Sequence, residues 1–255
     1  MIYRVISGAT LILSAALPAQ AAVGVTGPAF TYTQSFDTLA ATGTANSWVN
    51  DSTLSGWAIY TTAGVAVSAY RAGTGSTNNG AAYSFGTDAE RALGGVGSGA
   101  FSGYFALALS NLSGVALSSF TLSFDGEQWR NGGNITAQTM AFQYGFGSTY
   151  ADVTSWAAPG GNFDWTSPIN TASAAAVDGN AAGLVSNRGG TITTPWAADQ
   201  TLWLRWTDEN NTGNDHGLAI DNVALSVTAA VPEPEAFALM LAGLGALGLL
   251  IRRRG

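Results

Sequence analysis

The chain has 255 residues, a formal net charge of −7, 33 glycines, eight tryptophans and no cysteine. Disulfides, thiolate metal ligands and a cysteine nucleophile are therefore excluded, and because all nine basic residues are arginine, so are lysine Schiff bases and the Gly-Lys-Ser/Thr phosphate loop. The acidic balance argues against nucleic-acid backbone binding and favours divalent cations, neutral glycans or a weakly hydrated surface as partners.

Residues 1–21 read as a secretory signal: one early cation at Arg4, an apolar stretch through Leu17, and the small-residue pattern Ala19-Gln20-Ala21 with cleavage expected after Ala21. The stretch 22–230 is expected to be one domain, since about 208 residues suffice for a single large all-β fold with a real core. Between Ala22 and Val231 it carries five arginines against fourteen acids, a net charge of −9.

Period-two alternation marks the strands. In "SSFTLSF" Phe120, Leu122 and Phe124 share a face, as do Met140, Phe142 and Tyr144 in "TMAFQY". "QTLWLRW" sets Leu202, Leu204 and Trp206 against Trp203 and Arg205, so both faces are partly covered there. In "GLAIDNVALSV" the apolar parity shifts between Ile220 and Val223, which predicts a β-bulge near Asp221-Asn222. Turn signals such as "NNG", "PGGN" and "VDGN" separate the runs, and no internal repeat is present. The predicted fold class is all-β, a two-sheet sandwich of jelly-roll type.

Four groups of residues carry candidate chemistry. Glu90 and Arg91, and Glu127 and Arg130, place opposite charges in apolar surroundings. Within a strand each Glu faces away from its neighbouring Arg, so each is expected to pair with the other segment's Arg as a structural salt bridge. The alternative is a carboxylate pair for glycoside hydrolysis. Trp156, Trp165 and Trp196 lie in Pro/Gly-rich loops and are the candidate platforms for stacking a sugar.

The segment 208–216 is the densest oxygen cluster. Asp208, Asn210 and Thr212 alternate as calcium ligands do, Gly213 permits a sharp turn, and Asp215 or Asp221 could complete a structural Ca²⁺ site. An EF-hand is rejected, because position 219 is Ala where the bidentate Glu would stand. A solvated loop of Asx turns is the competing reading. His216 is the single histidine, and no Gly-x-Ser-x-Gly elbow accompanies it, so no catalytic triad is expected.

The last 25 residues, "VPEPEAFALMLAGLGALGLLIRRRG", combine Pro232-Glu233-Pro234, an uncharged run from Ala236 to Ile251, and Arg252, Arg253 and Arg254. A helix over that run reaches roughly 24 Å against a hydrocarbon core of about 30 Å. Arginines at its end would stop transfer and stay cytoplasmic, with the body on the far side. This stretch, 231–255, resembles the PEP-CTERM sorting signal of exported proteins. The resemblance implies an inner-membrane intermediate cut by an exosortase near the Pro-Glu-Pro triplet, followed by delivery to the cell surface or exopolysaccharide matrix.

The body also has a likeness. "SFDTL" (35–39), "SGW" (55–57), "YSFGTDAERALG" (83–94), "GEQWR" (126–130), "AVDGN" (176–180) and "LWLRWTDENNTGNDHGLAIDNV" (202–223) resemble, in order, a family of bacterial exported β-sandwich domains of unknown function. The expectation that follows is a non-enzymatic binding or adhesive sandwich, with an extracellular glycan as the candidate partner. A surface glycan hydrolase and a purely structural matrix protein are the alternatives.

Overall fold

Alternating apolar and polar residues recur along the body, and in the computed structural model, which describes residues 22–229, they build two packed sheets. The expected signal segment and the sorting tail lie outside the described residues. In chain order the strands are β1 (Val23–Val25), β2 (Thr31–Gln34), β3 (Asn46–Ser47), β4 (Trp57–Thr61), β5 (Ala69–Gly73), β6 (Ala81–Phe85), β7 (Ala92–Val96) and β8 (Gly103–Asn111). They continue with β9 (Leu117–Asn131), β10 (Thr139–Phe146), β11 (Trp165–Thr166), β12 (Ala175–Ala176), β13 (Leu184–Trp196), β14 (Thr201–Asp208) and β15 (Gly217–Ala229).

A six-stranded sheet runs β1-β8-β14-β10-β11 with β4 also on β8. A nine-stranded sheet runs β12-β9-β15-β7-β6-β5-β3, with β13 also on β9 and β2 also on β15. Pairing is antiparallel except at β1–β8 and β5–β6. The expected two-sheet sandwich is thus observed. Among the described residues no helix is long and apolar enough to cross a membrane.

The predicted inward faces are the inward faces. Phe120, Leu122, Phe124, Met140, Phe142, Leu202, Leu204 and Trp206 all join one buried core between the sheets. Trp206 is its hub, stacked on Trp57 at 5.8 Å and met edge-on by Phe124 at 5.4 Å. Burying one indole removes roughly 200 Å² from water, worth about 5 kcal/mol, so a chain without disulfides depends on these rings.

Two of the three proposed sugar platforms belong to this core, which corrects that expectation. Trp165 and Trp196 are each 1 % exposed. Trp165 lies so close against Gly126 that a Cβ there would come within 2.3 Å of the indole, so glycine makes its seat. Trp196 turns its N–H back to the Gln200 carbonyl at 2.8 Å, closing the turn before β14 and carrying the ring inward. A Pro/Gly-rich setting does not by itself put a tryptophan at the surface.

The bulge predicted at Asp221-Asn222 is present: Asp221 pairs with Asp125 and Ala224 with Ser123, leaving one extra residue on β15. Asn222 takes it up in a left-handed conformation at φ 50°. A second bulge faces it across β9, where Val185 pairs with Gly126 and Arg188 with Phe124, and Asn187 stands at φ 57°. Asparagine tolerates that region better than other non-glycine residues. Between the two bulges Asp125 accepts the Asn187 backbone N–H at 2.9 Å and the Asn222 side-chain amide at 3.1 Å.

Candidate functional site

Leu218 and Ile220 point into the sandwich, so Ala219 and Asp221 point to the outer face of the nine-stranded sheet. Register does the rest. Glu127 pairs with Ala219 and Asp125 with Asp221, which puts Asp125, Glu127 and Asp221 on that same face. Glu90 arrives from the β6–β7 connection, immediately before β7, the strand that pairs with the start of β15. Glu90, Glu127 and Asp221 therefore converge, one oxygen from each lying within 4.8 Å of the others.

The cluster is covered. Glu127 is 1 % and Asp221 2 % exposed, and Glu90 is half-buried. The turn following β12 closes over it: Gly179 packs on Trp129, where a Cβ would fall 2.4 Å from the indole, and Asn180 donates its amide to Glu90 Oε2 at 2.5 Å. Trp129 donates its indole N–H to Glu127 Oε2 at 2.8 Å. The opposite oxygens, Glu90 Oε1 and Glu127 Oε1, are buried without any donor, and so is Asp221 Oδ1. Burial pushes Glu127 up to about 7; the Trp129 N–H opposes this, and Glu90, Asp125 and Asp178 reinforce it. Asp221 is raised as well, first by burial; the Asn222 backbone N–H opposes this, and Glu127 and Glu90 reinforce it. These three carboxylates are the group best placed among the described residues to hold a hard cation.

The expected Glu–Arg bridges are corrected by this arrangement. Arg91 points to the opposite side from Glu90 and bonds Ser84 through Nε to Oγ at 2.8 Å and through Nη2 to the carbonyl. Arg130 gives Nη1 to the Gly75 carbonyl at 3.0 Å. The strand order gathers the two glutamates on one face and leaves both arginines to satisfy backbone oxygens elsewhere.

The loop after β14 is a separate place, so the five-residue calcium set is divided. Asp208 and Asp215 are buried at its two ends, whereas Asn210 and Thr212 are exposed, and Asp221 belongs to the cluster above. Asp208 is raised well above the carboxylate range by burial, then by Asp215 and Glu209. Asp215 Oδ1 is already taken by the Asn211 N–H at 2.7 Å. Asn134 holds the loop through the Thr212 and Asn214 carbonyls, both at 3.0 Å. His216 is fully buried and accepts the Gly132 N–H on Nδ1 at 2.9 Å, and burial lowers its pKa. Burial thus favours the neutral form of this enclosed imidazole.

Trp156, the third proposed platform, is half-buried on the outer face of the six-stranded sheet. The segment after β10 folds back there and lays Tyr150 on Tyr60, centroids 4.1 Å apart. Arg205 is held between two rings, 3.8 Å from Trp156 and 4.1 Å from Tyr104, and donates to the Tyr150 hydroxyl at 2.9 Å and to Gln143 Oε1. Tyr60, Tyr104, Tyr150 and Trp156 all keep partial exposure. Sequence reading named Trp156 as a platform and set Arg205 opposite the inward face of its strand, but did not bring the two together or find the tyrosines, whose strand parity alone would have placed Tyr60 and Tyr104 outward.

Fold and composition define an acidic, disulfide-free β-sandwich with three carboxylates gathered on the outer face of one sheet and half-buried aromatic rings on the outer face of the other. Residues 230–254 match the PEP-CTERM protein-sorting motif. The chain is accordingly an exported protein, sorted by an exosortase through a membrane-anchored intermediate. No curated protein matches the chain.

Proposed function

We propose that the exported body is a non-enzymatic binding module for extracellular glycan, working at the cell surface or in an exopolysaccharide matrix. The observation that carries the non-enzymatic part is the burial of the carboxylates. Glu127 and Asp221, at 1 % and 2 % exposure, lie beneath the turn carrying Asn180, where a polysaccharide cannot reach them. A glycosidase needs its two carboxyl groups on either side of an accessible bond, with one ionised at working pH. Here both are shifted in the same direction, by burial first.

Support for glycan binding comes from the outer face of the six-stranded sheet. Rings of Tyr104, Tyr150 and Trp156 are held rigid by Arg205 and remain partly open to solvent. Rigid aromatic rings offer apolar surface to a sugar face at little entropic cost, and the absence of lysine leaves little to attract polyanions non-specifically. A glycan array on the purified protein, run beside Trp156→Ala and Tyr104→Ala, is the test. Selective binding lost in both variants supports the reading; binding that survives both, or no binding to any glycan, removes it in favour of a purely structural matrix role.

A further inference from the structure

We propose that Glu90, Glu127 and Asp221 form a Ca²⁺-class divalent-cation site that fastens the β6–β7 connection to β9 and β15 on the outer face of the nine-stranded sheet. Three carboxylates presenting oxygens within 4.8 Å of one another are not in themselves a site. What distinguishes them is how their hydrogen bonds are divided. Each glutamate has a donor on one oxygen alone: Asn180 on Glu90 Oε2 and Trp129 on Glu127 Oε2. Glu127 Oε1 and Asp221 Oδ1 belong to side chains more than nine-tenths buried and have no donor, and Glu90 Oε1 is likewise buried without one. Buried polar atoms are otherwise nearly always satisfied.

Asp125 supplies the internal comparison. It stands on the same face, one pair along, and both its oxygens accept hydrogen bonds. Among the described residues Asp208 Oδ2 is the one other carboxylate oxygen buried without a donor, and its acidic neighbour Asp215 is already bonded by Asn211; three such oxygens occur together at Glu90, Glu127 and Asp221. A cation would complete all three at once, with Trp129 and Asn180 as the outer groups that orient the ligands.

The donor set selects the metal. Only carboxylate oxygens face the space, with no histidine or cysteine in the group, which suits a hard cation over zinc or copper. Ca²⁺ accepts irregular coordination by 6–8 oxygens, whereas Mg²⁺ holds to an octahedron and keeps several waters. The bulge at Asp221-Asn222 and the enclosure by Gly179 and Asn180 favour the former.

Calorimetric titration of the chelator-treated protein with CaCl₂ and MgCl₂, Tb³⁺ luminescence excited through tryptophan, and thermal melts test the site. Trp129 lies one hydrogen bond from Glu127, so bound Tb³⁺ should be sensitised. The expected results are a single Ca²⁺ site, a melting temperature higher by several degrees in saturating Ca²⁺ than in chelator, and Mg²⁺ at least tenfold weaker. Glu127→Gln and Asp221→Asn keep side-chain shape and should abolish both signals, Glu90→Gln and Asn180→Ala should weaken Ca²⁺ about tenfold or more, and Asp208→Asn should leave the calcium heat and the calcium-dependent melting shift as in the wild type, whatever it does to the melting temperature in chelator. No calcium heat and no melting shift in the wild type would show that the cluster holds only shared protons and would overturn the proposal. So would binding retained in Asp221→Asn, or lost in Asp208→Asn, which would move the site to the loop after β14.

Discussion

Asp221 stands directly opposite Asp125 across the β9–β15 ladder, yet the two carboxylates meet opposite conditions. Asp125 is bonded by Asn187 and Asn222, one from each of the bulges that flank β9. Asp221 has an oxygen with no donor and faces Glu90 and Glu127 instead. Like charges directly opposite would ordinarily weaken a sheet. Here the bulge lets Asn222 reach Asp125, and the remaining negative charge collects on the other side of Asp221.

That contrast predicts substitutions of opposite sign in chelator. Asp125→Ala removes the acceptor of two solvent-exposed bonds that hold the paired bulges and should cost about 1 kcal/mol, a fall of a few degrees in melting temperature. Asp221→Asn should raise it, because an amide brings N–H donors to the unpaired oxygens of Glu90 and Glu127. Thermal melts of both variants beside the wild type check this. A destabilised Asp221→Asn would mean that the bonds Asp221 makes to the Asn222 backbone and to Glu90 outweigh the relief of its unpartnered oxygen.

Acid–base behaviour follows from Glu127. Its folded pKa of about 7 lies above its ordinary value of 4.5, so between those values the folded protein binds more protons than the unfolded chain. Stability is then greatest at or below about pH 4.5 from this group, and falls as pH rises through about 7. Asp221, also raised, extends the same trend. Melting temperatures measured in chelator from pH 4.5 to 8 should decline, and Glu127→Gln should flatten the decline. A wild-type melting temperature that rises across that interval and is unaffected by Glu127→Gln would contradict the assignment.

For the sorting motif at 230–254, replacing Pro232, Glu233 and Pro234 together should leave the protein in the inner-membrane fraction. The wild type should be released without Arg252, Arg253 and Arg254. Intact-mass measurement on released protein reads this directly, and terminal arginines still present on it would contradict exosortase cleavage.

Much of the fold was legible because alternation is local. The inward parity of Phe120, Leu122, Phe124 and of Leu202, Leu204, Trp206, and the parity break at Asp221-Asn222, each follow from a few consecutive residues. The cluster was not legible, since it depends on pairings between segments far apart in the chain, Glu127 with Ala219 and Leu93 with Ile220. Glutamate next to arginine in apolar sequence suggests an ion pair, but only register tells which side each takes. Register here turned Arg91 to Ser84 and Glu90 to Asn180. Trp165 misled for a similar reason: its place is set by the missing side chain of Gly126, on a different strand.

The central claim, a binding sandwich whose buried acids do no catalysis, is tested most directly by incubating the purified protein with exopolysaccharide and measuring new reducing ends alongside retained protein. The account predicts that protein is retained on the polysaccharide and that reducing ends stay at the level of the blank. Release of reducing ends that disappears in Glu127→Gln would contradict it and make the carboxylate cluster an active site.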